Sequence, residues 1–276
     1  MAEIHPTAII DRRAEFGDDV SVGAYAIIKG PVVLGRGTVV FEHSIIEGNT
    51  TTGEHCKLGP AAYIGLPPQH LKHDGAGTSV ILGNHVTVRE TAQIHRSITP
   101  GLEHATRLGD RCFVMAGAHV GHDCVLGEDV ILANAVLLGG HCNIGNKVFL
   151  GGGATIHQFC SIGRLSIIGG NECFTHDVPP FAAVRYRGLK GYNAIGCKRS
   201  GMSRESIHAV RGAYYCLHAN RTMPAAVAAI RETVELVPEV QEILKFIASS
   251  KRGILTSGRP RNSGQETGTV RDDVFD

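Results

Sequence analysis

The chain has no tryptophan, and aromatic residues make up only 5% of its 276 positions. A core built on large rings is therefore excluded. Its eight cysteines form no C-x-x-C pair and show no zinc-like spacing, which argues against a zinc ribbon or a dithiol redox centre. No run approaches the roughly 18 apolar residues that a spanning helix requires. The opening "MAEIHPTAIIDRR" lacks the apolar segment of a secretory signal, so a soluble, reduced, cytoplasmic protein is expected. Charge is nearly balanced, with 27 basic and 26 acidic residues, which excludes nucleic acid or an acidic membrane surface as the main partner. No G-x-S-x-G string occurs, so no nucleophilic serine elbow is indicated.

Glycine, in contrast, is abundant at 35 residues, beside many Val, Ile and Ala. That mixture suits short strands meeting at tight corners. Cut into sixes from Ile4, the chain begins IHPTAI, IDRRAE, FGDDVS, VGAYAI. From Leu108 the frame continues without a gap as LGDRCF, VMAGAH, VGHDCV, LGEDVI, LANAVL, LGGHCN, IGNKVF, LGGGAT. An aliphatic residue opens nearly every unit, and the fifth position is small or β-branched. Cys56, Cys112, Cys124, Cys142 and Cys160 all occupy that fifth position, so they read as buried packing thiols.

A six-residue period fits neither an amphipathic helix nor a plain alternating strand. It fits a solenoid of short strands, each placing one aliphatic side chain in a central stack. Two stretches interrupt the frame: "GLPPQHLKHDGAGTS", residues 65–79, and "RSITPGLEHATR", residues 96–107. After Pro180 the pattern turns helical. Ser203 and Thr222 stand as N-caps, Pro224 lies in a first turn, and "PEVQEILKFIASS" forms a further helix. The expected layout is a β-helix over 1–190, a helical domain over 191–255 and a disordered polar tail over 256–276.

The six-residue pattern resembles that of the hexapeptide-repeat family, and this resemblance implies a prism with three sixes to each coil, in which residues 18 apart stack. The units opening at Val120, Leu138, Ile156 and Phe174 then share a face and carry His122, His141, His157 and His176, with His119 at the corner before the first. Coils about 4.8 Å apart make His122 and His141 near neighbours and put His157 about 10 Å away. Any single histidine, such as His43, His55, His85 or His208, reads as a tolerated surface residue. Four on one face point to a cleft. Imidazoles there suit either general-base chemistry or a divalent metal.

The hexapeptide-repeat resemblance further implies a left-handed parallel β-helix of triangular section. More specifically, "AHVGHDCVLG", "ILANAVLLGGH", "IHQFCSIG", "DVPPF" and "GMSRESI", in this order before a helical C-terminus, resemble the UDP-N-acetylglucosamine O-acyltransferases of lipid A biosynthesis. The likeness spans about residues 3–255. It implies an all-β left-handed parallel β-helix followed by a small α-helical C-terminal domain. It also implies transfer of a 3-hydroxyacyl chain from acyl carrier protein to the 3-hydroxyl of UDP-N-acetylglucosamine. A homotrimer is implied as well, with active sites between neighbouring prisms and neither metal nor cofactor.

On the same resemblance, His122 matches the general base, Asp123 its supporting carboxylate and Gly140 the oxyanion-binding amide. His119, His141, His157 and Gln158 match sugar or phosphate contacts. So do Gln69 and Lys72 in the first loop, while Asn193 and Arg199 match nucleotide contacts. Gly170 falls where the acyl groove is measured and leaves it open, giving an expected chain of about C12–C16.

Three positions depart from the family pattern. His70 stands near the expected sugar where an acidic residue is usual, Ile195 replaces an acidic nucleotide contact, and Ser200 replaces a basic residue. The His70 change keeps N-acylation of a 3-amino UDP-sugar open as an alternative. A trimeric zinc enzyme of the carbonic anhydrase type is the rival from a different chemistry.

Overall fold

The computed structural model describes residues 2–72 and 77–256. Part of the first loop and the tail from 257 onward, expected to be disordered, lie outside the described residues. Strands of two to four residues alternate with tight turns and assemble into three parallel sheets, the three walls of a prism. A short antiparallel pair, Ala182–Arg185 with Gly188–Tyr192, closes one sheet at its C-terminal edge.

The stacking interval appears directly in the strand pairing. Val120 pairs with Leu138, Leu138 with Ile156, and Ile156 with Phe174, each 18 residues on. Where the frame breaks, the interval lengthens, so Ile64 pairs with Ile94 and Ile94 with Val120. The extra residues are extruded between strands Tyr63–Leu66 and Ser79–Leu82, and between Gln93–His95 and Thr106–Leu108. Both excursions therefore leave the same corner in adjacent coils, on the side that carries the histidines.

Inside the prism, the aliphatic residue opening each six stacks with its counterparts. Val88, Val114, Leu132 and Leu150 are fully buried in one wall, and Ile64, Ile94, Val120 and Leu138 in the next. The small fifth position is buried too, including all five cysteines assigned to it. Of the eight free thiols only Cys173 is exposed. Burial pushes the Cys112 thiol up to about 11 and that of Cys160 to about 12, as expected for packing residues.

Among the described residues four helices follow: α1 (Ala194–Arg199), α2 (Arg204–Ala219), α3 (Met223–Thr233) and α4 (Pro238–Ser249). Ser203 and Thr222 cap α2 and α3 by accepting from the amides of Ser206 and Ala225. The short α1, absent from the sequence expectation, is capped by Asn193, whose Oδ1 accepts from the Gly196 amide at 2.9 Å. Buried Tyr214 of α2 donates its hydroxyl to Pro180 O at 2.6 Å, and Arg164 of the prism forks onto Glu242 of α4 at 2.8 and 3.0 Å. These bonds fasten the helices to the last coils. No helix among the described residues is long and apolar enough to cross a membrane.

Candidate active site

The site grows from the corners of successive coils. Asp123, His141 and Phe159, each 18 apart, hold left-handed corner conformations with φ of 58°, 60° and 67°. Such corners turn their side chains outward, and short polar residues tolerate them best. The His141 ring lies flat on Phe159, centroids 4.7 Å apart, and meets His122 edge-on at 5.1 Å.

His122 and Asp123 form the tightest contact here, with Nδ1 2.7 Å from Oδ2. Their side chains are only 13% and 9% exposed, so this is a sheltered, charge-assisted hydrogen bond. Asp123 is itself held in place. Oδ2 also accepts from the Ile98 amide at 3.1 Å, and the Asp123 amide donates to Thr106 Oγ1 at 2.8 Å. Ile98 belongs to the second extruded loop and Thr106 to the strand that follows it. His122 Nε2 has no hydrogen-bond partner among the described residues.

Gly140 lies against the His122 ring. A Cβ at position 140 would stand 2.4 Å from Cε1 and 2.6 Å from Nε2, so only glycine leaves the ring its place. Its amide has no partner among the described residues. The neighbouring amides of Gly139 and His141 are taken up by Ile156 O and His122 O.

A cleft of about 660 Å³ opens beside this group and is lined by Gln69, His119, His122, Gly140, His157 and Gln158, among others. The first loop brings His70 edge-on to His122 at 5.4 Å, and the Lys72 amide donates to His70 Nδ1 at 3.2 Å. His119 sits beside His95, centroids 5.1 Å apart. Each of these two donates from Nδ1 to a carbonyl, His119 to Leu138 O and His95 to Pro67 O. Each therefore leaves a bare Nε2 that is buried and unpartnered. Burial, and then the neighbouring imidazoles, lower the proton affinity of both below the ordinary histidine value. Burial likewise lowers that of His141, against the opposing pull of Asp123.

Thus Gln69, His119, His122, Gly140, His157 and Gln158 share one cleft, with Asp123, His141 and His70 at its edge. Asn193 and Arg199 do not line it. Asn193 instead caps α1 and donates from Nδ2 to Leu165 O, and Arg199 ends that helix. His176 lies on the expected wall but outside the cleft, beside Cys173 and Arg187 in a separate hollow. Gly170 stacks on Gly152, farther along the prism. The sequence does not mark His95, because it closes a broken repeat, where the 18-residue interval no longer identifies its face.

Among the described residues, His122, Asp123 and His141 form the one group whose ligand atoms cluster closely enough to hold a metal, within 4.8 Å of one another. Two imidazoles and a carboxylate differ from the three-histidine set of the zinc rival. The His122–Asp123 hydrogen bond also occupies one of these ligand atoms on each partner.

The three-walled parallel β-helix of six-residue repeats, with its outer cleft, places the chain in the class of hexapeptide-repeat transferases. Residues 105–140 match the family described as bacterial transferase hexapeptide (six repeats). Residues 177–255 match that described as Udp N-acetylglucosamine O-acyltransferase, domain 2. The acyl-[acyl-carrier-protein]--UDP-N-acetylglucosamine O-acyltransferase of Thermodesulfovibrio yellowstonii is 43% identical, covering 92% of this chain and 99% of its own. The namesake enzyme of Syntrophobacter fumaroxidans is 42% identical with the same coverage. Among solved structures, the Moraxella catarrhalis UDP-N-acetylglucosamine O-acyltransferase superposes with a TM-score of 0.83 at 36% identity, over 91% of this chain and 99% of that one. This chain belongs to the UDP-N-acetylglucosamine O-acyltransferase family. Its fold is the left-handed β-helix followed by a small helical domain that the family resemblance implied.

Proposed function

We propose that this protein transfers a 3-hydroxyacyl chain from acyl carrier protein to the 3-hydroxyl of UDP-N-acetylglucosamine, the opening step of lipid A biosynthesis, with His122 as general base. The observation that carries the assignment of the base is the 2.7 Å His122–Asp123 bond beside the cleft. With Nδ1 committed to the carboxylate, Nε2 is the nitrogen left to take a proton.

In this mechanism Nε2 removes the proton from the sugar hydroxyl as its oxygen attacks the thioester carbonyl. The resulting tetrahedral oxyanion is met by the Gly140 amide, a preorganised donor of a kind often worth about 3–4 kcal/mol. Collapse breaks the C–S bond, and the departing thiolate recovers the proton from His122. Asp123 stabilises the imidazolium formed in between. The reaction balances without a metal, a cofactor or an enzyme nucleophile.

The other assignments follow the cleft. His119, His141, His157, Gln158, Gln69 and Lys72 hold the sugar and phosphates. The bare Nε2 atoms of His95 and His119 are acceptors suited to a hydroxyl or amide hydrogen. Asn193 and Arg199 lie outside this cleft, so their role as nucleotide contacts requires a neighbouring copy in a cyclic trimer. Exposed Leu137 and Phe159, on the cleft side of the prism, suit burial against that copy. Basic residues of the helical domain suit the acidic surface of acyl carrier protein.

The test is acyl transfer from a set of 3-hydroxyacyl carrier proteins to UDP-N-acetylglucosamine, with His122→Ala alongside. Transfer by the native chain, reduced by several orders of magnitude in the variant, is expected. Activity only toward the 3-amino sugar would replace O- by N-acylation, and full activity of His122→Ala would remove the base assignment.

A further inference from the structure

Residues Ser250–Thr256 run from the end of α4 back across the last coils as a short strap. Buried Asp177 fixes it at several points. The Asp177 amide donates to Gly253 O and the Asp177 carbonyl accepts from the Leu255 amide, both at 2.8 Å. Its Oδ2 accepts from Ser250 Oγ at 2.6 Å, while Oδ1 accepts from the Ser161 amide at 2.7 Å. One carboxylate thus ties the strap to the coil, and buried Ile254 and Leu255 anchor it from below.

Arg252 leaves this strap toward the cleft. Its Nε–H donates to Thr175 O at 3.1 Å, which sets the plane of the guanidinium. Its Nη2 then lies 3.2 Å from Nδ1 of His157, 95 residues earlier in the chain. The same Nδ1 is 3.1 Å from Gln158 O. These two neighbours demand opposite tautomers. A carbonyl oxygen only accepts and asks for a hydrogen on Nδ1, whereas a guanidinium only donates and asks for a bare Nδ1. The charged donor makes the stronger bond.

We propose that Arg252 is a positioning residue that holds His157 with Nδ1 bare and the hydrogen on Nε2. The imidazole then meets the substrate as a hydrogen-bond donor, the polarity that diphosphate and sugar oxygens require. His119 shows the reverse arrangement, with Nδ1 donating to Leu138 O and a bare Nε2. The cleft is thereby furnished with imidazoles of both polarities. This inference rests on the reading of His157 as a substrate contact.

The experiment uses the full chain labelled with 15N-histidine, with the His157 signals identified by their loss in His157→Gln. In the native protein the His157 Nδ1 resonance should be that of an unprotonated ring nitrogen. In Arg252→Ala it should move toward the protonated position, and Arg252→Lys should restore it in part. Alongside, Arg252→Ala should raise KM for UDP-N-acetylglucosamine about tenfold with kcat within about twofold. The double variant Arg252→Ala/His157→Gln should be no worse than His157→Gln alone.

A protonated Nδ1 in the native protein overturns the proposal whether or not Arg252→Ala folds. So does a tautomer that stays the same in folded Arg252→Ala. A tautomer that follows Arg252 while His157→Gln leaves KM untouched overturns the reading of His157 as a substrate contact, and with it the functional half of the proposal.

Discussion

Gly140 and His122 are in such close contact that a methyl group on Gly140 would stand 2.4 Å from the imidazole Cε1. Backbone conformation does not demand glycine here, since Gly140 is not among the residues with positive φ. The ring demands it. Gly140→Ala should therefore leave the fold intact and displace the base, lowering kcat roughly 10²-fold through misplacement alone. Steady-state kinetics with a thermal melt check this. A melt like that of the native protein with undiminished kcat would show that the ring position is not the active one.

Asp123 receives two donors on a single oxygen, His122 Nδ1 and the Ile98 amide. Asparagine in its place can keep the shape and one acceptor, but it removes the negative charge that compensates the imidazolium. Asp123→Asn should lower kcat roughly 10²–10⁴-fold, the range general-base support supplies, with KM for the sugar changed much less. An equal rise in KM with kcat preserved would instead make Asp123 a binding residue.

These two relationships differ in how far the sequence reveals them. The 18-residue interval puts His122, His141 and His157 on one wall because a strand ladder fixes residues by count. The interval fails once a loop adds residues of unknown path. Nothing in "RSITPG" marks the Ile98 amide as a support for Asp123, because a backbone N–H has no letter of its own. His95 is lost for the same reason, and Arg252 sits in a strap whose route depends on how α4 docks. The approach of Gln69 and His70 was legible only through the family resemblance. Asn193 is a case of competition, since an asparagine before a helix reads equally as cap and as contact.

The histidines should also govern stability in mildly acidic solution. His95, His119, His141 and His218 all have proton affinities below the ordinary value of 6.5, in each case first because burial disfavours the cation. The unfolded chain therefore takes up protons near pH 6.5 while the folded chain does not. Stability should be level between about pH 7 and 8 and fall as pH drops through 6.5, until the folded values are reached. Melting temperatures measured from pH 7.5 to 5 should show this decline, made shallower by His119→Gln. An unchanged slope in that variant would mean that His119 titrates alike in both states. The strongly paired carboxylates, Asp110 and Asp129 among them, are held below 3.8 and act only at lower pH.

Gly170 provides the test of acyl selectivity. A Cβ there would meet only Gly152, with the carbonyl oxygen at 3.2 Å and the amide nitrogen at 3.9 Å, so a side chain has room to extend outward from the prism. If the acyl chain lies along this column of small residues, Gly170→Met fills the space its distal methylenes need. Four excluded methylenes at roughly 0.8 kcal/mol each would lower kcat/KM for a C14 donor by about 10²-fold and leave a C10 donor nearly unaffected. The native chain, with the groove open, should prefer about C12–C16. Assaying both proteins across 3-hydroxyacyl donors from C10 to C16 decides the point. A folded variant with the native chain-length profile would place the acyl groove on another wall, because a methionine cannot project into a groove without shortening it.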